Sequence, residues 1–101
     1  MAVDIALKLS FSKHAKEKVV ERQIAEETLT AILENPQARF YDTGSRAEVI
    51  VGEISQQGLI LSLVVVFRRK GKVYHIITAY PVKDVEVEVE RKVKIGRWVP
   101  I

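Results

Sequence analysis

The chain has 101 residues, 48% of them hydrophobic and 29% charged, which excludes a disordered chain and suits one domain with one modest core. Sixteen Lys and Arg against thirteen Asp and Glu leave a formal net charge of +3, a mild excess that permits nucleic-acid binding without demanding it. Cysteine is absent, which excludes a disulfide framework, a thiolate metal site and a thiol nucleophile, and agrees with a reducing cytoplasm.

The N-terminus, "MAVDIALKLS", lacks a charged segment followed by a long apolar stretch, so no signal peptide is expected. Residues 5–10, "IALKLS", alternate weakly and read as a short strand. Ser12 is a good N-cap for a helix that repeats Ala15 and Val19 at helical spacing behind Phe11. A second helix follows in "RQIAEETLTAILENP". Ile24, Leu29, Ile32 and Leu33 form its apolar side, Glu26 and Glu27 favour its N-terminal end, and Asn35-Pro36 stops it. The tight junction around Gln23–Ala25 makes the two a helical hairpin.

Strands occupy the rest. "QARFYD", "RAEVIVGEI" (46–54), "LILSLVVVF" (59–67) and "VYHIITAY" (73–80) are separated by turn signals at Thr43-Gly44, "QQG" and Gly71. Short turns between successive strands give an antiparallel meander. Residues 59–67 are apolar on both faces, which puts that strand in the middle of the sheet, and the run is too short to span a bilayer. The tail, "DVEVEVERKVKIGRW", fits a strand by its alternation and a helix by its charges. Asp84 can cap, acids fill the first half, bases the second, and Gly96 can close it. The charge asymmetry favours the helix. The expected fold is α+β over residues 1–101: a helical hairpin on one face of a mainly antiparallel four- to five-stranded sheet, then a C-terminal helix or extra strand. The expected core is Phe11, Val19, Leu29, Ile32, Leu61, Leu63, Val65, Ile76 and Ile77.

Basic residues cluster in the first helix, in "RRKGK" (68–72) and in "RKVKIGR" (91–97). These clusters either converge on one anion-binding surface or scatter as solubilising charge. In the first helix, His14, Lys18 and Arg22 lie four residues apart and share a face. Two cations beside it would hold the His14 imidazole neutral. Such a stripe suits a phosphate or simple solvation.

The order β-α-α-β-β-β with a variable C-terminal element resembles the RelE/ParE toxin superfamily. The "KH" helix, "ERQIAEETLTAILENP", "SRAEVIVGEI" and "LILSLVVVFRRKGKVYHIITAYPVK" look like the BrnT-type toxins and their uncharacterised relatives across residues 10–83. The resemblance implies an endoribonuclease acting on free or ribosome-bound mRNA and neutralised by a cognate antitoxin; the cysteine-free composition and short apolar runs give a cytoplasmic location with no membrane partner as the expectation, and a homodimer is left open. It also implies catalytic residues on an open sheet face. Cleavage by the 2′-hydroxyl needs a base, cations for the crowded phosphorane and an acid for the leaving oxygen. His14, Arg68 and Tyr80 are the catalytic candidates, with Lys18, Arg22, Arg46 and Arg69 binding substrate. Neither a metal-ligand cluster nor a cofactor motif is visible, so no metal and no cofactor is expected. Alternation puts Thr78 and Tyr80 on one face of the last strand and His75 on the other. Two other classes stay open: a non-catalytic module of the same fold that binds a protein or nucleic acid, and a gyrase-poisoning ParE-like toxin.

Overall fold

Local chemistry sets the element boundaries in the computed structural model, which describes residues 7–101. In chain order these are β1 (Lys8–Phe11), α1 (Lys13–Glu21), α2 (Glu26–Glu34), β2 (Ala38–Asp42), β3 (Ala47–Gln56), β4 (Leu59–Lys70), β5 (Val73–Val82), α3 (Val85–Lys94) and β6 (Trp98–Pro100). The Ser12 hydroxyl accepts from the Ala15 amide at 3.1 Å and so starts α1. Asp84 does the same for α3 through the Val87 amide at 3.2 Å. Glu86 and Glu88 in the first turn of α3 and Arg91, Lys92 and Lys94 in the last complement its dipole. Gly96 follows at φ +76°, a conformation that costs glycine nothing.

The fold is α+β, a six-stranded mixed sheet with three helices. Its strand order is β1-β5-β4-β3-β2-β6. β1 runs parallel to β5 and every other neighbouring pair is antiparallel. The expected four or five strands become six because the tail is both helix and strand: α3 ends, the chain turns at Gly96, and Trp98–Pro100 adds to β2. Of the first predicted strand, residues 5 and 6 lie outside the described residues.

Two apolar clusters sandwich the sheet. On one face Ala15 and Val19 of α1 and Leu29, Ile32 and Leu33 of α2 meet Ile50, Ile54, Leu63, Val65, Phe67 and Ile76. On the other, Val85 and Val89 of α3 rest against Phe40, Val49, Val51, Val64, Val66 and Trp98. β4 feeds both, so the central placement of this doubly apolar strand is found as expected. α2 can approach because β3 carries glycine beneath it: a Cβ on Gly52 would lie 2.5 Å from Ile32 Cγ2.

One irregularity reshapes the last long strand. The β4–β5 register steps from Val66↔Thr78 to Phe67↔Ile76, so Ile77 is an unpaired extra residue. The extra residue reverses inside and outside between the two halves of β5. Tyr74 and Ile76 face the α1/α2 core, as does Ala79, while Ile77 and Tyr80 face α3. Ile77, expected with Ile76 in one core, therefore belongs to the opposite cluster. Phe11 and Leu61 border the core half-buried.

Part of each sheet edge is capped against further pairing. β1 covers only Val73–Ile76 of β5. Beyond it the Ile77 carbonyl accepts from Ser12 Oγ at 3.2 Å and the Ala79 carbonyl from Arg22 Nη1 at 2.6 Å. At the other edge, the Thr43 amide donates to Arg97 O and the Ile101 amide to Arg39 O. Antiparallel alternation then turns the Pro100 nitrogen outward, where no N–H is offered to another strand.

Candidate nucleic-acid interface

The topology gathers six strand ends on one rim. The first residues of β1, β3, β5 and β6 lie there with the last residues of β2 and β4, as the pairings Lys8↔Val73, Lys70↔Val73, Glu48↔Phe67 and Asp42↔Trp98 require. The C-terminal end of α3 reaches the same rim just before β6. Two of the three basic clusters therefore converge. Arg68, Arg69, Lys70 and Lys72 stand at the β4–β5 turn, Lys94 and Arg97 at the α3–β6 connection, with Lys8 and Arg46 alongside, all exposed. At the opposite end the α1–α2 connection, tied to β3 by Gln56 Nε2 donating to Arg22 O at 2.9 Å, leads into Glu26 and Glu27, while Asp84 and Glu86 open α3. On the α3 side of the sheet the charge is polarised along the strands, whereas on the α1/α2 side Glu34 and Glu48 stand near Arg69, and Lys83 precedes Asp84 at the acidic end.

A buried carboxylate organises the centre of the rim. Asp42, 4% exposed, accepts on Oδ1 from the Gly44 amide at 2.8 Å, the Ser45 amide at 3.1 Å and Arg97 Nε at 2.6 Å. Burial pushes its pKa up, but the bonds from Arg97, Ser45 and Gly44 outweigh this and hold it below the ordinary value. Arg97 lies across Gly44 so closely that a Cβ there would meet its Nε at 2.5 Å. The turn fixed in this way presents the Ser45 carbonyl to Arg68, whose Nη2 donates to it at 2.6 Å. Lys92 stands over the Trp98 ring with Nζ 5.6 Å from its centroid.

The β5 irregularity places the second histidine here. His75 pairs with Arg68 on β4 and with Ser10 on β1. Because Tyr74 and Ile76 face the other way, His75 faces the α3 side, in one row with Ser10 and Arg68. Ser10 Oγ lies 3.0 Å from His75 Nδ1. Strict alternation set His75 apart from Tyr80; the extra residue at Ile77 puts them on the same face instead.

The other candidates disperse. His14 is exposed on α1, whose core residues pack on the sheet face opposite Arg68. Lys18 pairs with Glu21 at 3.3 Å, and Arg22 is committed to Ala79 O. The stripe is thus partly structural and does not share a surface with Arg68. Tyr80 faces α3 rather than an open sheet: its hydroxyl donates to Glu88 Oε2 at 3.2 Å. Burial first, then the Glu88 carboxylate, pushes its pKa up to about 12, so the phenol stays protonated. Burial also raises that of Glu88, but the bond from Arg91 and nearby cations outweigh it and leave it lowered. Arg46 lies in the 43–46 turn at φ 54°. Arg69 is at the rim but on the face opposite Arg68, donating to Tyr74 Oη at 2.9 Å. Among the described residues no group of three or more His, Cys, Asp or Glu is placed to hold a metal ion, and no helix is long and apolar enough to cross a membrane.

Comparison with known proteins gives one result: a family model described as a domain of unknown function (DUF4258) matches residues 11–87. No curated protein and no solved structure matches the chain.

Proposed function

The chain belongs to the DUF4258 family, and we propose that it binds RNA through its basic rim as a RelE/ParE-like, toxin-type endoribonuclease. The observation that carries the reading is the convergence of Lys8, Arg46, Arg68, Lys70, Lys72 and Lys94 on one end of the sheet, away from the acidic end. A polyanion bound there releases counterions from several phosphates at once and is repelled from the other end, which orients it. RNA as the polyanion and a cognate antitoxin partner come from the resemblance of the helix pair and meander to BrnT-type toxins, while the hairpin arrangement rests on the tight junction at Gln23–Ala25 and cytoplasmic action on the cysteine-free sequence.

A second reading, an RNA-binding module that does not cleave, is favoured by two of the expected catalytic groups. Tyr80 is held by Glu88, and His14 stands on the other side of the sheet from Arg68. Induced expression separates the two. A cleaving toxin arrests growth and shortens cellular RNA, and purified protein cuts RNA with or without ribosomes. Harmless expression with intact RNA, together with salt-sensitive RNA binding, establishes the module instead. Absence of RNA binding ends both.

A further inference from the structure

We propose that His75, held by Ser10 and set beside Arg68, is the general base that cleaves RNA at this rim, a role that rests on the RNA reading above. Three residues from three strands form one row across β1, β5 and β4: Ser10↔His75 in the parallel pair and Arg68↔His75 in the antiparallel pair. Directly paired side chains on one face have Cβ atoms about 4.5–5.5 Å apart, so a single phosphate can touch both His75 and Arg68. Ser10 and His75 are half-buried while Arg68 is exposed. The histidine is anchored and the guanidinium is open to solvent.

Ser10 Oγ lies 3.0 Å from His75 Nδ1. A hydroxyl accepts from Nδ1–H when the ring is neutral and equally when it is the imidazolium. Ser10 can therefore hold one ring orientation through a whole proton-transfer cycle, with Nε2 as the working nitrogen. In the cleavage step Nε2 takes the proton of a 2′-hydroxyl. O2′ forms a bond to phosphorus, the P–O5′ bond breaks, and O5′ leaves with the electron pair and takes a proton from water. The imidazolium returns its proton to the hydroxide so formed. The products are a 2′,3′-cyclic phosphate and a 5′-hydroxyl. Arg68 uses one N–H on Ser45 O and keeps its others for the non-bridging oxygens, whose charge grows in the phosphorane. Ser10 is a positioning residue and does not touch the substrate.

The test is single-turnover cleavage of an end-labelled single-stranded RNA by the full chain, with RNA binding measured on each variant. His75→Ala should slow cleavage about 10²–10⁴-fold, the usual share of a general base, and change binding less than about threefold, since the phosphate contacts remain. Lys16→Ala, exposed on α1 across the sheet, should cleave as the wild type does. Ser10→Ala should lower the rate and let the His75 ring exchange tautomers in its ¹⁵N spectrum, with Ser10→Thr restoring both. If the wild type cleaves and His75→Ala cleaves equally fast, the assignment of His75 is overturned while the RNA reading stands. If wild-type protein binds RNA but leaves it intact with and without ribosomes, the base assignment and the cleavage reading fall together. A variant that unfolds is replaced by His75→Gln, with the wild-type circular dichroism spectrum as the folding criterion.

Discussion

Gly52 offers a sharp test of how the helices sit on the sheet, because packing and backbone entropy predict opposite signs for one substitution. Replacing a strand glycine with alanine, where the conformation allows it, stabilises by about 0.4–1 kcal/mol through the unfolded chain. Gly52 is not among the positive-φ residues, so alanine meets no backbone penalty. It does meet Ile32: the new Cβ would lie 2.5 Å from Cγ2 and 2.7 Å from Cγ1. Ile32 is branched and locked in one rotamer by its helix, so it cannot rotate away and α2 must lift off β3. Overpacking of this kind costs about 1–3 kcal/mol, and at about 4–8 °C per kcal/mol for a domain near this size the midpoint should fall by roughly 8–16 °C for a 2 kcal/mol loss. Ile32→Ala alone should cost about 2–5 kcal/mol. The hole it leaves accommodates the methyl introduced by Gly52→Ala, so the double variant should be about 1–2 kcal/mol more stable than the two losses added. Thermal and urea unfolding of the four proteins measures this. A Gly52→Ala protein as stable as the wild type or more so, or strictly additive losses, would refute the close approach of α2.

Three further outcomes follow from single interactions. Arg22→Ala should cost about 1 kcal/mol in urea unfolding and expose the Ala79 amide region to faster hydrogen exchange, because the guanidinium closes the uncovered edge of β5. Asp42 has a lowered folded-state pKa, so its contribution is present above the unfolded value near 3.9 and is lost as pH falls through the folded one; Asp42→Asn should flatten the stability profile below about pH 4, and an unchanged profile would remove Asp42 as a source of it. Tyr80 should ionise only near pH 12 in its ultraviolet difference spectrum, and Tyr80→Phe should cost about 0.5–1.5 kcal/mol; the contribution of the raised phenol is full below pH 10 and fades as pH rises through 12.

Much of the fold was legible because local signals agreed with the tertiary outcome. Ser12 and Asp84 cap where their side chains suggested, the double-faced apolar run of β4 is central, and the charge asymmetry of 85–94 is that of a helix. What escaped has physical causes. Trp98–Pro100 is too short to show a period and is a strand only because β2 offers it an edge. The extra residue at Ile77 leaves no mark in a run such as "VYHIITAY", yet it moves Ile77 between cores and His75 beside Arg68. The clusters 68–72 and 91–97 were visible as charge, but their convergence depends on strand order, which no local pattern encodes. Arg22 looked like a phosphate ligand because a helix face shows spacing and conceals what the far end of a long side chain caps.

The rim itself is tested most directly by the salt dependence of RNA binding. If RNA engages about four rim cations, log K should fall with log salt at a slope of about −3, taking roughly −0.7 per phosphate for a single strand. Lys70→Ala with Lys72→Ala should lower that slope by about 1.4, since each removes one phosphate contact. Lys13→Ala with Lys16→Ala removes the same charge from the exposed side of α1 and should leave the slope unchanged. A wild-type slope near zero, or a slope that drops for the α1 pair and not for the rim pair, would contradict the account.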